Sequence, residues 1–270
     1  RAIPENGDLS AGRAASERGR QGRLEQGGTT RMKARLPIFE VGAWAYDWLT
    51  SQPIWRQQIT KVLDHVDVRP GLRVLDLGCG PGVSSFALAE ALGPGAEVVG
   101  IDNAKQMIRL AEGWHKNHYA HLQNVRFLAA DATSLPFGDG EFDLAVGHSF
   151  LYLVPDRVGV LREAKRLLGA TGRLVLMEPN RDGSLAAAAA VGWQRRHTLD
   201  ASSMAQLRFG LSLVLWRVAS AAAGRMHPDL IAELFSQSGF SDGSCSPTLG
   251  GLGLHCVGDG TRSPDAGAPS

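Results

Sequence analysis

The sequence predicts an α/β fold, with a seven-stranded, mostly parallel sheet that carries helices on both faces and ends in an antiparallel hairpin. Apolar strand patterns and amphipathic helical patterns alternate along most of the chain, which is typical of a parallel sheet. A glycine-rich turn joins the first strand to the next helix. The last two strand patterns have no clear helix between them, and strands joined directly are most easily antiparallel.

The strands are predicted from short apolar or β-branched runs. They lie at 74–77, 96–101, 125–129, 142–146, 172–177, around Cys245, and at 252–257. Apolar residues recur at helical spacing before the first strand, at 41–49 and 59–66, and later at 83–88, 104–111, 160–168 and 228–238. A very apolar stretch at 207–216 lies in an insertion after the fifth strand.

Composition limits the classes of function. At 270 residues with 44% hydrophobic residues, the chain can form one α/β domain with a substantial core. Lys plus Arg is 28 and Asp plus Glu is 27, so no broad nucleic-acid-binding surface is expected. Neither a membrane span nor secretion is expected, because no uncharged apolar run reaches ~18 residues and no hydrophobic signal core is found near the N-terminus.

The cysteines suggest a reducing environment. Cys79, Cys245 and Cys256 lie far apart in the sequence and include no Cys-x-x-Cys pair. This spacing offers no zinc site and fits reduced thiols. Cytoplasmic localisation is therefore expected, and no metal ligands are predicted.

The turn Gly78-Cys79-Gly80-Pro81-Gly82 is the strongest functional signal, because its glycines leave the backbone open to a ligand. Asp76, at the end of the preceding strand, is expected to point its carboxylate into the same crevice. The Gly-x-Gly-x-Gly spacing differs from the Gly-x-Gly-x-x-Gly of dinucleotide enzymes and lacks the Lys-Ser/Thr ending of a P-loop. Together with Asp76, the turn resembles the first motif of class I S-adenosylmethionine (SAM)-dependent methyltransferases, whose ligand carries an ammonium group and no phosphate.

Acidic residues after the next two strands extend this resemblance. Asp102 follows the second strand, where a carboxylate can accept hydrogen bonds from both hydroxyls of a ribose, as it also does in dehydrogenases. Asp131 and Ala132 follow the third strand, where the family's acidic residue meets the adenine amino group and the next backbone amide meets a ring nitrogen. An N-cap of the turn at 132–134 is the alternative for Asp131.

The resemblance covers roughly residues 38–258 and implies a Rossmann-like class I methyltransferase fold. It also implies SAM as the cofactor. The cofactor-binding residues that it implies are Asp76, Gly78, Cys79, Gly80, Gly82, Asp102, Asn103, Met107, Asp131, Ala132 and Gly147.

Two further residues are candidates near the reacting groups. His148 follows the fourth strand, where the resemblance places the donor methyl group; it is either a general base, since its unperturbed pKa lies near neutrality, or a hydrogen-bonding wall residue. Tyr46 either lies over the cofactor or is an amphipathic residue at a helix boundary. The segment 147–153 lacks the Asn/Asp-Pro-Pro-Tyr/Phe motif of amino-methylating DNA and protein enzymes, which argues against those substrates.

The resemblance also divides the chain. Residues 1–35 are predicted to be a disordered basic tail, either solvated or anchored to an acidic surface. Residues 36–70 form helices that cover the cofactor, and 71–258 form the SAM-dependent methyltransferase domain. An acceptor lid is predicted at 181–227, and a second disordered tail at 259–270.

The predicted reaction moves the methyl group of SAM to an oxygen or carbon, less readily a nitrogen, of a small, hydrophobic or aromatic acceptor. The glycine turn and layout look most like the quinone and natural-product branch of the family. Two alternatives are an NAD-type oxidoreductase and a non-catalytic scaffold or regulatory protein with the SAM fold. The apolar insertion could cover an acceptor, form a homodimer contact or touch a membrane surface peripherally.

Overall fold

The computed structural model describes residues 53–194 and 203–260. The predicted basic tail, the helix predicted at 41–49 with Tyr46, and the residues after 260 lie outside the described residues. The helices are α1 Pro53–Thr60, α2 Val83–Leu92, α3 Lys105–His118, α4 Arg157–Leu167, α5 Leu185–Gln194, α6 Ser203–Ala223 and α7 Pro228–Gln237. The strands are β1 Arg73–Leu77, β2 Glu97–Asp102, β3 Val125–Ala129, β4 Phe142–His148, β5 Leu168–Pro179, β6 Ser241–Thr248 and β7 Gly253–Asp259. Short 3-10 helices span Lys61–His65, Leu151–Leu153 and Leu249–Gly251.

The strands form one sheet in the order β3-β2-β1-β4-β5-β7-β6, which confirms the predicted fold class. Neighbouring strands are parallel from β3 to β5, whereas β7 is antiparallel to both β5 and β6. The chain reverses its direction of travel across the sheet between β1 and β4. In open α/β sheets such a reversal leaves a crevice at the carboxyl ends of the strands, and ligands bind there.

Helices on both faces explain why the central strands are apolar along their length. In β1, Leu75 and Leu77 pack on the face covered by α4 and α7, and Val74 packs on the opposite face against α2. A parallel sheet covered in this way has no solvent face, so the strands read as continuous apolar runs. Asp76 interrupts this pattern in β1 and is fully buried.

Some boundaries differ from the prediction. β5 begins at Leu168 because that residue pairs with Phe142 of β4, and β4 extends to His148, which pairs with Met177. The helix predicted at 59–66 is divided, since α1 ends at Thr60 and a 3-10 turn follows. Apolar periodicity identifies the buried face of an element, whereas hydrogen bonding determines where the element ends.

Cys245 and Cys256 form a disulfide in the hairpin of β6 and β7. They are direct partners in the antiparallel register, so the hairpin brings together cysteines that are 11 positions apart in the sequence. The prediction of reduced thiols is therefore wrong for this pair. It relied on the absence of a Cys-x-x-Cys motif, whereas a disulfide needs only Cβ atoms that face each other across two strands. Cys79 is a buried free cysteine.

Candidate active site

The glycine turn lies in the crevice between β1 and β4. Gly78, Gly80 and Gly82 have φ angles of +66°, +54° and +91°, a region that residues with a side chain rarely adopt. A Cβ atom on Gly80 would have no neighbour within 4 Å, whereas one on Gly78 would collide with the ring of Phe150. The turn therefore presents bare backbone at Gly80, and this is a cradle that a ligand fits.

Asp102 joins the end of β2 to this turn. Its Oδ2 atom accepts a hydrogen bond from the backbone N–H of Gly80 at 3.0 Å, and its Oδ1 atom accepts one from Ala104 at 2.8 Å. Burial raises the pKa of the carboxyl, and the two hydrogen bonds oppose that rise. Each oxygen keeps further acceptor capacity, so the carboxylate can receive hydroxyl donors from the crevice.

Asp76 is not open to the crevice as predicted. Its Oδ2 atom accepts hydrogen bonds from the hydroxyls of Ser84 and Ser85, both at 2.6 Å, at the start of α2. Its Oδ1 atom is buried without a hydrogen-bond partner. Burial raises the pKa of the group to about 6, although the serine hydroxyls lower it. The carboxylate is thus held at the start of α2, and one of its oxygens has no donor.

Asp131 caps the turn that follows β3. Its Oδ1 atom accepts hydrogen bonds from the N–H and the hydroxyl of Thr133, at 2.9 and 2.8 Å, and these bonds lower its pKa. The capping alternative is therefore observed. The backbone N–H of Ala130 donates to the carbonyl of Asp102 at 3.1 Å, which brings the ends of β2 and β3 together. Ala132 is buried beside the exposed Asp131.

The remaining predicted contacts lie around the same edge. Asn103 is exposed after β2, and Met107 is partly buried in the first turn of α3. Gly147 lies near the end of β4, where a Cβ would stand 3.0 Å from the side chain of Leu176. Cys79 is buried within the glycine turn, and burial raises its pKa well above the usual range. Its thiol is therefore protonated and unreactive at neutral pH.

Glu178, which sequence reasoning missed, holds the segment that follows β4. Its carboxylate accepts hydrogen bonds from the backbone N–H groups of Phe150, Leu151 and Tyr152, at 3.1, 2.8 and 3.2 Å. Burial raises its pKa to about 7, against the lowering effect of these bonds. The available signal was an acidic residue directly after the apolar run of β5, at the edge of the sheet where ligands bind.

His148 is buried beside the backbone of Ile59 in α1, and neither of its ring nitrogens makes a hydrogen bond of good geometry. It is the register neighbour of Met177, and Met177 is the neighbour of His255 on β7, so the three side chains share one face of the sheet. Burial, followed by the charge of His255, lowers the pKa of His148 to about 4. The imidazole is therefore neutral at pH 7, and its lowered pKa makes it a weak proton acceptor there.

Replacement of His148 by leucine should flatten the acid side of the stability profile. The unfolded histidine binds a proton below its ordinary pKa of 6.5, whereas the folded one does so only near 4. The wild type therefore loses stability as pH falls from about 6.5 to about 4, by about 3 kcal/mol from this group. Urea unfolding at pH 7 and pH 4.5 measures the difference. His118→Leu, at an exposed position of α3, is the matched control, and an equal loss in His148→Leu would contradict the prediction.

The insertion packs an aromatic layer over the ends of β4 and β5. Phe209 and Leu213 of α6 pack with Trp55 of α1 and with Met177, and Trp216 lies against the same cluster. The indole N–H of Trp216 donates to the hydroxyl of Ser149 at 2.9 Å, and that of Trp55 donates to Ser212 at 2.8 Å. Ser149 directly follows His148 and has a positive φ of 54°. The insertion is thus tied to the segment where the methyl group is expected.

The residues brought together fit a SAM cofactor. The open backbone at Gly80 and the unpaired Oδ1 atom of Asp76 are features that a structural turn does not need. The described residues contain no group of three or more metal-ligating side chains.

Comparisons with known proteins place the chain in a family. Residues 69–215 match the family described as "Methyltransferase domain". The chain is 38% identical over 136 residues to an uncharacterized 37.1 kDa protein in transposon TN4556 of Streptomyces fradiae, with 50% of this chain and 38% of that protein covered. It is 34% identical over 125 residues to a demethylmenaquinone methyltransferase of Staphylococcus carnosus, with 46% and 49% covered. The chain thus spans about half or less of the length of these relatives.

Solved structures share the fold. A SAM-dependent methyltransferase from Aquifex aeolicus matches 74% of this chain and 88% of its own, with a TM-score of 0.53 and 18% identity. A phosphoethanolamine N-methyltransferase 2 of Haemonchus contortus, in complex with SAM, matches 77% of this chain and 43% of its own, with a TM-score of 0.55 and 20% identity. The family match includes the glycine turn and the acidic residues Asp76, Asp102 and Asp131. The chain therefore belongs to the methyltransferase domain family, of the class I fold whose methyl donor is S-adenosylmethionine.

Proposed function

We propose that the protein transfers the methyl group of SAM to an oxygen or carbon atom of a small hydrophobic acceptor. The observation that carries the proposal is the bare backbone of Gly80, bonded to the Asp102 carboxylate at the carboxyl ends of β1 and β2. SAM supplies a sulfonium-activated methyl group. The methyl carbon forms a bond to the acceptor as its bond to sulfur breaks, the electron pair stays on sulfur, and the acceptor loses a proton.

In this proposal the protein binds SAM and aligns its methyl group with the acceptor atom. The open backbone of Gly80 lets the ligand approach closely, and Asp102 accepts hydrogen bonds from the ribose hydroxyls. Gly78 and Gly82 make the turn, with Phe150, Phe86 and Phe127 packed against them. Asp131 and Ala132 lie at the adenine end. Cys79, Asn103, Met107 and Gly147 border the same ligand, and Tyr46 stays a proposed cover from outside the described residues. Alignment and exclusion of water supply most of the catalysis for an in-line displacement.

The hydrophobic acceptor is inferred from the aromatic layer beside the end of β4. Trp55 and Phe209 are buried in this layer and Trp216 is partly buried, so the structure beside the end of β4 is apolar and aromatic, and it favours an apolar or aromatic ring over a charged molecule. The similarity to a demethylmenaquinone methyltransferase supports the same class of acceptor. His148, at the end of β4 and neutral at pH 7, is proposed either as the general base or as a wall residue of the acceptor site.

Asp102→Ala tests the cofactor assignment. Hydrogen bonds to a charged group contribute roughly 1.5 to 3 kcal/mol, so SAM affinity should fall about tenfold or more. Isothermal titration calorimetry with SAM measures the loss. Asp143→Ala is the matched control. Asp143 also accepts a backbone hydrogen bond, from the N–H of Arg73 at 2.8 Å. It lies near the start of β4, at the edge of the sheet opposite the glycine turn. Unchanged affinity in a folded Asp102→Ala variant would remove Asp102 from the cofactor site.

Transfer of labelled methyl from SAM to demethylated naphthoquinones then tests the acceptor class. Product formation supports the proposal. SAM binding without transfer to these compounds or to a metabolite extract would favour the non-catalytic alternative, and binding of NAD in place of SAM would favour the oxidoreductase.

A further inference from the structure

Helix α6 packs on the rest of the protein through its inner face. That face meets the aromatic layer of Trp55 and Trp216, whereas Leu207 on the outer side is 68% exposed. The expectation that this stretch would be covered on most sides holds for its inner face alone. Within residues 53–194 and 203–260, no helix has the length and apolarity needed to cross a bilayer. The inner face is the part of α6 that reaches the end of β4, through Trp216 and Ser149.

Two tryptophan–serine hydrogen bonds lie on this inner face, and they differ in one respect. The indole N–H of Trp55 donates to the Ser212 hydroxyl at 2.8 Å, and that hydroxyl donates in turn to the carbonyl of Phe209 at 2.7 Å. The indole N–H of Trp216 donates to the Ser149 hydroxyl at 2.9 Å. An indole can only donate, so each serine oxygen accepts and keeps its own O–H for another partner. In the part of the chain that the structure describes, no group accepts the O–H of Ser149.

The indole of Trp216 is held in place by the elements around it. Its ring stands edge-on to that of Trp55, with the ring centroids 5.7 Å apart and the ring planes at 79°. At the start of β7, a Cβ atom on Gly253 would lie 3.6 Å from the Trp216 ring, so this ring lies close to the backbone of β7. The indole N–H therefore approaches the Ser149 oxygen from a fixed direction. The O–H of Ser149 points away from the indole, because two hydrogens do not share one side of the oxygen.

The backbone of Ser149 adopts a conformation that residues with a side chain rarely use. Its φ is +54°, in the left-handed region. Its N–H donates to the carbonyl of Met177 at 2.7 Å, which extends the pairing of β4 with β5 by one residue. Conformations of this kind persist where the surrounding structure enforces them, and they concentrate at ligand sites. Ser149 is also partly exposed, so its O–H is open to a ligand.

We propose that Ser149 determines acceptor specificity, by donating a hydrogen bond from its hydroxyl to an oxygen substituent on the ring of the acceptor. The inference rests on the proposed function, in which the methyl group of SAM lies beside the end of β4. The aromatic layer then contacts the ring, and Ser149, bonded to Trp216 of that layer, is the adjacent polar group with an available O–H. The acceptor class is therefore an apolar ring that carries a carbonyl, hydroxyl or ionised hydroxyl oxygen.

The available O–H favours such a ring over a plain hydrocarbon. Before the acceptor binds, the partly exposed hydroxyl of Ser149 can donate to water. A hydrocarbon ring that displaces this water leaves the O–H without an acceptor, whereas a ring oxygen replaces the water. A site that hydrogen-bonds one group of its substrate rejects analogues without that group for the same reason.

Equilibrium dialysis with the full chain and saturating S-adenosylhomocysteine tests the proposal. The probes are 1-tetralone and tetralin, which share a fused-ring skeleton and differ by one carbonyl oxygen. The ratio of the dissociation constant of tetralin to that of 1-tetralone should fall about three- to tenfold in Ser149→Ala relative to the wild type. Thermal melting followed by circular dichroism checks that the variant folds.

Ser212→Ala is the matched control. It also removes the acceptor of an indole N–H, that of Trp55, but the O–H of Ser212 is already bonded to the carbonyl of Phe209. The control therefore has the same unpaired indole without the loss of an available O–H, and its ratio of dissociation constants should equal that of the wild type.

Three outcomes would overturn the proposal. The first is a wild type that binds neither probe. The second is a Ser149→Ala variant that keeps the wild-type ratio, which would mean that the hydroxyl bonds water only. The third is a Ser212→Ala variant that lowers the ratio as much as Ser149→Ala does. Transfer of labelled methyl from SAM judges the proposed function separately: a wild type that methylates a naphthoquinone, with an unchanged ratio in Ser149→Ala, would keep the reaction and remove Ser149 from the acceptor site.

Discussion

Gly80→Ala should weaken SAM binding roughly ten- to hundredfold, because overpacking a fitted site by one methyl group typically costs about 1 to 3 kcal/mol. The Cβ would enter the open side of the glycine turn, where the structure has no atom within 4 Å. It therefore meets no protein atom, and the methyl group stands where the ligand is proposed to lie. The change leaves the carboxylate of Asp102 in place, so the expected loss does not include the removal of that hydrogen-bonding group.

Backbone strain is the competing effect, and Gly71 controls for it. Gly71 has a φ of +83° and open space around its Cβ position, but it lies in the turn before β1. Alanine at a positive φ costs roughly 1 to 2 kcal/mol of stability at either position. Both variants should show similar losses in urea unfolding, while only Gly80→Ala should lose SAM affinity by calorimetry. Equal SAM affinity in the two variants would mean that the ligand does not approach Gly80.

The sheet was predictable because its strands and helices carry different periodicities. The parallel strands are buried on both faces and appear as apolar runs, and the hairpin lacks a helix between its strands. The glycine turn and Asp102 were predictable for a related reason. Both lie where strands end, and the carboxyl ends of parallel strands meet at one edge, so the order of residues in the sequence becomes proximity in space.

Side-chain direction and partners across the sheet were not predictable. Asp76 was expected to point into the crevice, and its hydrogen bonds from Ser84 and Ser85 of α2, together with its complete burial, could not be read from the strand pattern. The Cys245–Cys256 disulfide depends on the register of the hairpin, which no local pattern specifies. His148 was identified by its position at the end of the fourth strand, yet its lowered pKa depends on its burial and on the charge of His255. Each of these features depends on a contact with a residue of another helix or strand, which a local sequence pattern does not reveal.

The buried acidic groups Asp76 and Glu178 have pKa values shifted opposite to those of the histidines His148 and His255. Burial raises the pKa of Asp76 to about 6 and of Glu178 to about 7, and lowers those of His148 and His255 to about 4. In every case burial favours the uncharged form. Near pH 7 the two histidines are therefore neutral, whereas Asp76 is mostly ionised and Glu178 is about half ionised, so the negative charge of the site lies on its carboxyl groups.

Glu178→Gln should lower kcat about a hundredfold while the dissociation constant of SAM changes less than threefold. The carboxylate holds three consecutive N–H groups, of Phe150, Leu151 and Tyr152, and the amide would turn an N–H donor toward at least one of them. A displacement of about 1 Å in a positioning segment can cost two orders of magnitude in rate. The residues proposed to bind SAM through β1 and β2 keep their contacts, so kcat should fall without loss of SAM affinity. Single-turnover methyl transfer and calorimetry separate the two quantities.

The pH dependence of stability gives Glu178 a second, independent test. Its folded pKa of about 7 is raised above the ordinary 4.5, so the folded state binds the proton more tightly. The wild type should therefore gain stability as pH falls from about 7 to about 4.5, by about 3 kcal/mol from this group, and Glu178→Gln should lack that gain. Glu163→Gln is the matched control, because Glu163 accepts the N–H of Leu135 at 2.7 Å outside the crevice. If Glu178→Gln retains wild-type turnover, or loses no more than Glu163→Gln does, the segment after β4 does not depend on this carboxylate.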